Sequence, residues 1–371
     1  MIKFLYLRAV KTFLKIFYVS RSILFNRITF YPRQVTKLEE VFRKKLGTHY
    51  AISFCNGTSA LEAAIFSLRL SEDSVALVQA DTFHASVGPI YSNNIKVRYL
   101  ETVENSYTIS LKEIQQNTCP NTKLIVIPHL FGIPNQEIKK IKEFCSKHSI
   151  FLIEDCSHSH FGKLSNYYLG TFGDISIFSL QGSKPISGGE GGILCTNNQK
   201  FAEIAGLYGH YGRPIVDIEY RKESIHAYKT GFGSKRRMHP LAADLALVDI
   251  KFIDYENNII NRKINKIYLN KNRYPKLILP ELKNETFIGG LFYGLPIFIT
   301  PYNFGKFDND FPYVEILKTP YFNLSKDSIY FSDTQVDKIN TDVFFLSRSS
   351  LIKYSSKHLI KLLMSVDKRL E

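Results

Sequence analysis

A chain of 371 residues, 44% of them apolar, carries enough hydrophobic surface for one large domain with a smaller companion. Its formal charge of +14 is spread along the sequence with no RNA-binding, zinc-finger or helix-turn-helix signature, so an anionic small molecule is the expected partner and nucleic acid is not. Five cysteines, at positions 55, 119, 145, 156 and 195, form no CxxC pair, which argues against a disulfide scaffold and fits a reducing cytoplasm.

Residues 1–30 open with an apolar stripe, Phe4, Leu5, Leu7, Val10, Phe13, Leu14 and Phe17, interrupted by Lys3, Arg8, Lys11 and Lys15. The charges leave no span long enough to cross a bilayer and spoil a signal-peptide core. Such a helix packs on the protein body or on a second copy, the favoured expectation, or lies peripherally on the inner face of a membrane. Next come a helix over Val35 to Leu46, a short strand over Tyr50 to Phe54 and a helix over Ser59 to Leu70. Val75 to Gln79 and Leu124 to Pro128 read as buried strands, Gln136 to His148 as a helix, and Ile150 to Glu154 and Ile175 to Leu180 as strands. This alternation predicts an α/β fold with helices on both faces of a sheet. Met238 to Tyr255 begins the link to a smaller domain, Thr286 to Gly305 supplies its strands and turns, and Asn340 to Glu371 its closing helices. The expected organisation is an N-terminal segment (1–30), a large domain (31–250) and a smaller C-terminal α+β domain (251–371).

Two features carry chemistry. Lys184 stands on a loop after an apolar run and before a glycine cluster, and Asp155 closes the strand FLIED twenty-nine positions earlier. A lysine amine forms an imine with an aldehyde cofactor, and pyridoxal phosphate needs such a lysine plus an acid for its ring nitrogen. Carboxyl ends of strands are where open α/β sheets present ligands. The segment CNGTSALEAAIFSL, Cys55 to Leu68, offers a phosphate seat: Asn56-Gly57 makes a turn, and Thr58 and Ser59 supply hydroxyls and amides at a helix amino terminus. An ordinary Ser/Thr cap would use the same residues. The GGEGG run, Gly188 to Gly192, lacks the GK[ST] ending of a nucleotide-hydrolysing loop, and His158 with His160 lacks a zinc-like set of companions, so no metal is expected.

The motifs NGTSAL, DTFHAS, IPHLFG, IEDCSH, FSLQGSK and GGEGG, in this order between Tyr31 and Asp249, make the chain resemble the DegT/StrS family of pyridoxal-phosphate-dependent sugar aminotransferases. The resemblance implies the aspartate-aminotransferase-like fold, type I, with a mostly parallel central sheet and a homodimer with shared active sites. It makes Lys184 the Schiff-base lysine, Asp155 the partner of the pyridine nitrogen and His158 a donor to the phenolic oxygen. Phe83 stacks on the ring, and Gly57, Thr58, Ser59 and Ser179 take the phosphate. Lys235, where the family more often has asparagine, would reach the partner's cofactor phosphate, with Arg237 following it. Tyr31-Pro32-Arg33 replaces a glycine turn that lies near the sugar nucleotide in the family.

The implied reaction moves an amino group from glutamate or glutamine to a keto-sugar, nucleotide-linked, for a surface polysaccharide such as O-antigen. Related sugar dehydratases carry histidine where this chain has Lys184. The alternatives are amination of a keto-cyclitol and a catalytically idle member that binds the cofactor and scaffolds a membrane-associated complex.

Overall fold

The computed structural model describes residues 2–25, 32–103, 105–210, 235–281, 293–299, 315–317 and 343–369. Helix α1 (Ile2–Leu24) and α2 (Arg33–Leu46) precede strand β1 (Tyr50–Phe54) and α3 (Gly57–Ser67). Then follow β2 (Val75–Gln79), α4 (Gly88–Ser92), β3 (Lys96–Leu100), α5 (Leu111–Asn117), β4 (Thr122–Pro128), α6 (Ile138–Lys147) and β5 (Phe151–Asp155). A small hairpin of β6 (Lys163–Leu164) and β7 (Tyr167–Tyr168) leads to β8 (Ile175–Ser179), β9 (Gly192–Thr196), α7 (Gln199–Gly209) and the long α8 (Pro240–Leu269). The chain continues through β10 (Leu277–Ile278), β11 (Gly294–Ile299), β12 (Glu315–Leu317), β13 (Val343–Ser347), α9 (Arg348–Lys353) and α10 (Ser356–Arg369).

The large sheet has the order β1-β9-β8-β5-β4-β2-β3. Pairings β2–β3, β2–β4, β4–β5 and β5–β8 are parallel, whereas β9 runs antiparallel to both β8 and β1. The carboxyl ends of β1, β2, β4, β5 and β8 therefore share one edge with the amino end of β9. Asp155 and Ser179 end β5 and β8, and Gly57, Thr58, Phe83, His158 and Lys184 follow the ends of β1, β2, β5 and β8, which is why segments far apart in sequence converge there. Strands β4 and β5 are buried almost throughout, consistent with their Val/Ile/Leu-rich runs and cover on both faces. Strands β3 and β9 were not among the sequence expectations, and the others end within a residue or two of theirs.

A smaller antiparallel sheet, β10-β11-β13-β12, packs its core with the far half of α8 through Ile260, Ile264 and Ile267. The near half of α8 packs Ala243, Ala246 and Ile253 against α2 and the large sheet. One unbroken helix thus links the two cores across residue 250. Of the expected closing and linking segments, residues 286–292, 300–305, 340–342 and 370–371 lie outside the described residues, and Val343–Ser347 forms strand β13, paired with β11, where helix was expected.

Helix α1 lies along α8. Lys11 Nζ bridges Asp249 (3.0 Å) and Glu256 (2.8 Å), Lys15 also reaches Asp249 (3.0 Å), and the Ser22 hydroxyl donates to Asp244 (2.6 Å). The helix therefore packs on the body by one face. Its opposite face leaves Tyr6, Phe13 and Leu24 at least two-thirds exposed. Among the described residues no helix is long and apolar enough to cross a membrane.

Close approach of backbones fixes the edge of the sheet. A Cβ on Gly192 would collide with the Asn56 carbonyl, and one on Gly57 would sit 2.8 Å from Ser179 Cβ. Gly192→Ala is accordingly expected to lower stability by about 3 kcal/mol; an unchanged urea midpoint would show that the β9–α3 junction is looser than described.

Candidate active site

A cavity of about 420 Å3 opens at the shared strand edge and is lined by Gly57, Thr58, Phe83, Asp155, His158, Ser179 and Lys184 together with Asn56, Ser86, Gln181, Glu190 and Tyr293. Helix α3 begins at Gly57 because Asn56, in extended conformation, caps it by accepting from the Ser59 amide (2.7 Å). The first-turn amides of Gly57 and Thr58 then have no helical carbonyl to donate to and stand at the cavity wall. Ser59 is placed differently from the expectation. Its amide is taken by Asn56, and its buried hydroxyl meets Cys55 Sγ (3.3 Å) and Arg236 (3.4 Å), away from the lining.

Asp155, the last residue of β5, accepts from Ser86 Oγ (2.7 Å) and from the Ser157 amide (3.0 Å). Two fixed donors leave the carboxylate no freedom to swing out of the cavity. Phe83, 40% exposed, presents its ring at the entrance, 4.2 Å from that of His84.

Lys184 stands on the loop between β8 and β9. That loop is closed at its neck by Leu180 N–H to Gly191 O (2.7 Å) and Gly188 N–H to Leu180 O (2.9 Å), with a turn from Lys184 N–H to Gln181 O (2.9 Å). Burial pulls the Lys184 ammonium down from the ordinary lysine range to about 8, against the opposing effect of the Asp155 charge. His158 is held neutral, well below its usual range, first by burial and then by Lys184. Its Nδ1 accepts from the Phe131 amide (3.1 Å), so the ring proton resides on Nε2. Phe131 adopts φ +55° to aim that amide, a strained conformation for an aromatic residue. His160, pulled down to about 3 by burial, reaches the Ser179 carbonyl through Nε2 (2.8 Å) and steadies the end of β8.

Tyr293, just before β11, was not expected here. Its ring stacks on His158 at 4.0 Å and 5°, and Lys184 Nζ stands 5.0 Å from its centroid. Ser86 and Asn56 were likewise missed as positioning groups. Lys235 is exposed and outside the lining; it forms a β-bridge with His210, while the adjoining Arg236 pairs with Glu62. Residues 231–234 of the GFGSKRRMHP segment lie outside the described residues.

His129, Glu154 and Cys156 lie within 4.8 Å of one another, a spacing that suits a cation. The donor atoms of His129 and Glu154 are already engaged: His129 accepts from the Asn135 amide (3.3 Å) and bonds Glu154 (3.0 Å). Glu154 also takes the amides of Gly170 (2.9 Å), Phe172 (2.7 Å) and Gly173 (2.6 Å).

The family model for DegT/DnrJ/EryC1/StrS aminotransferases matches residues 18–274. The chain belongs to this family. A GDP-perosamine synthase of Escherichia coli O157:H7 is 31% identical over 218 residues, 57% of this chain and 60% of that protein. The chain thus matches less than two-thirds of that relative's length. The solved aminotransferase from Psychrobacter cryohalolentis superposes with TM-score 0.81 over 96% of this chain and 97% of that one, at 21% identity. An E coli GDP-4-keto-6-deoxy-D-mannose-3-dehydratase with bound hydrated PLP superposes at 0.78 over 96% and 97%, at 18% identity. The fold is the type I fold of pyridoxal-phosphate-dependent transferases.

The cavity fits that cofactor. Gly57 lets the start of α3 approach Ser179 more closely than a Cβ would allow, helix amides stand at the cavity wall, and a fixed carboxylate and a lysine with a depressed pKa share the same space. The neutral amine fraction of Lys184 should grow as pH rises through about 8. Capture of pyridoxal phosphate by the cofactor-free protein, followed by absorbance, should therefore accelerate from pH 7 to 9 and level off above. A midpoint near the ordinary lysine value of about 10 would contradict the burial of the amine.

Proposed function

We propose that the protein is an aminotransferase that moves nitrogen from glutamate or glutamine to the keto group of a nucleotide-linked sugar, in the assembly of a surface polysaccharide such as O-antigen. The observation that carries this reading is the junction of Lys184 and Asp155 in one cavity beside the amino terminus of α3. Lysine at that loop favours amine transfer over dehydration, given the histidine expected there in the related dehydratases.

Pyridoxal phosphate, when bound, draws electrons from the carbon that carries the transferred nitrogen. Gly57, Thr58 and Ser179 would hold its phosphate, Phe83 would lie against its ring, Asp155 would keep the ring nitrogen protonated and His158 would offer Nε2–H to its phenolic oxygen. Lys184 would hold the aldehyde and, once freed, take the proton from the substrate carbon and return it. A lysine near pKa 8 suits both directions of that transfer at neutral pH. The segment from Lys235 would serve the cofactor phosphate of a second copy. The five cysteines, all free, agree with a cytoplasmic setting.

The exposed row on α1, including Tyr6, Phe13, Ile16, Phe17 and Leu24, is assigned to contact with that second copy. Lys11 and Lys15 turn inward to Asp249 and Glu256, which withdraws two of the basic residues that an anionic membrane would use.

Borohydride reduction of loaded protein followed by peptide mapping should place the cofactor mass on the Lys184 peptide, and Lys184→Ala should lose it; the same mass on another lysine would remove Lys184 from its role. Asp155→Asn should slow exchange of the glutamate α-hydrogen with solvent, followed by NMR in D2O, at least about 100-fold. Exchange at the native rate would leave Asp155 without a part in the chemistry. In sedimentation, Phe13→Asp with Phe17→Asp should shift the protein from dimer toward monomer. An unshifted dimer, or loss of vesicle binding in its place, would reassign the α1 face.

A further inference from the structure

A second cavity of about 670 Å3 adjoins the first, sharing Ser183, Lys184 and Tyr293 with it. Its far wall is α1, which contributes Arg8, Lys11 and Lys15, three cations at helical spacing on one face. With Arg348, and leaving out Lys184, which is assigned to the cofactor, the lining holds four cationic side chains against two carboxylates, Asp249 and Glu256. Those two are fully engaged. Asp249 takes Lys11 (3.0 Å), Lys15 (3.0 Å) and the Ser187 amide (3.0 Å), and Glu256 takes Lys11 (2.8 Å) and Arg348 (2.8 Å). The carboxylates fix the cations in place and leave a surplus of two positive charges.

Surplus positive charge in a half-enclosed space is costly until an anion enters. The cofactor phosphate does not answer this need, because its seat at Gly57, Thr58 and Ser179 is in the first cavity. A second anion is required, within reach of the amine that handles the proton. Arg8 stands exposed, and its planar fork suits phosphate oxygens, while Lys11 and Lys15 act as held point charges behind it. All three precede residue 18, where the family match begins, so this wall belongs to the chain's own amino-terminal segment.

We propose that this compartment receives the diphosphate of the substrate, with the Arg8, Lys11 and Lys15 row of α1 as its recognition element; the assignment rests on the nucleotide-linked reading above. The size of the cavity and its charge excess suit a diphosphate better than a single carboxylate.

Calorimetric binding of GDP, UDP, dTDP, inorganic pyrophosphate and glutamate to the cofactor-loaded protein tests this. At least one nucleoside diphosphate should bind, with affinity falling steeply with salt and at least about tenfold in Arg8→Glu and in Lys15→Gln. Arg8 lies at the rim outside the α1–α8 ion pairs, so its reversal leaves that junction intact. Nucleotide affinity unchanged in both variants overturns the compartment and leaves the nucleotide-linked reading standing. Pyrophosphate binding that both variants weaken, with no nucleotide bound, supports the compartment and removes the nucleotide-linked reading. No diphosphate binding of any kind overturns both, and a loss confined to glutamate overturns the proposal by assigning the row to the donor's carboxylate.

Discussion

Two adjacent carboxylates at the end of β5 divide the work on which the rest of the structure depends. Successive side chains on a strand face opposite ways, so Glu154 and Asp155 serve different neighbours. Glu154 is wholly buried and saturated by three amides and His129, which ties the loop around Gly170 to Gly173 and the residue following β4 to the same point. Asp155 faces the cavity, oriented by Ser86 and Ser157. The first carboxylate makes the sheet edge rigid, and the second presents a fixed negative charge there.

Around that charge the cavity sets ionisation states by burial. The Lys184 amine is pulled toward neutrality and His158 is held neutral with its proton directed by the Phe131 amide. Tyr293 closes one side by stacking on the imidazole, and so brings the smaller sheet into the site. Helix α8 makes this joint possible, since one rigid helix carries both cores and also anchors α1 through Asp249 and Glu256.

What was legible in the sequence was local. Asp155 and Ser179 end strands, His158 and Lys184 stand on the loops that follow them, and the turn Asn56-Gly57 announces its helix, so short motifs grouped them without knowledge of the sheet. Ser59 shows the limit of such reading. Competition for the cap was won by the Asn56 side chain, which starts the helix two residues earlier and turns the serine hydroxyl toward Arg236. Tyr293 gave no signal, because it stands in an uncharged stretch and meets its partners across more than a hundred residues. Packing of α1 on the body was the favoured expectation, but the partners of its lysines could not be named, their acceptors lying more than two hundred positions away. Long-range pairing, rather than local propensity, decided the placement of Tyr293 and of the α1 lysines.

The central claim is that this cavity accepts an amino group and keeps it until a keto-sugar arrives. Loaded protein mixed with glutamate or glutamine, with no sugar present, tests it most directly, by quantifying the keto acid released. Release of keto acid in stoichiometric amount with the active sites, and then a halt, is the expected result. No release from either donor, by protein shown to hold the cofactor on Lys184, would contradict the account.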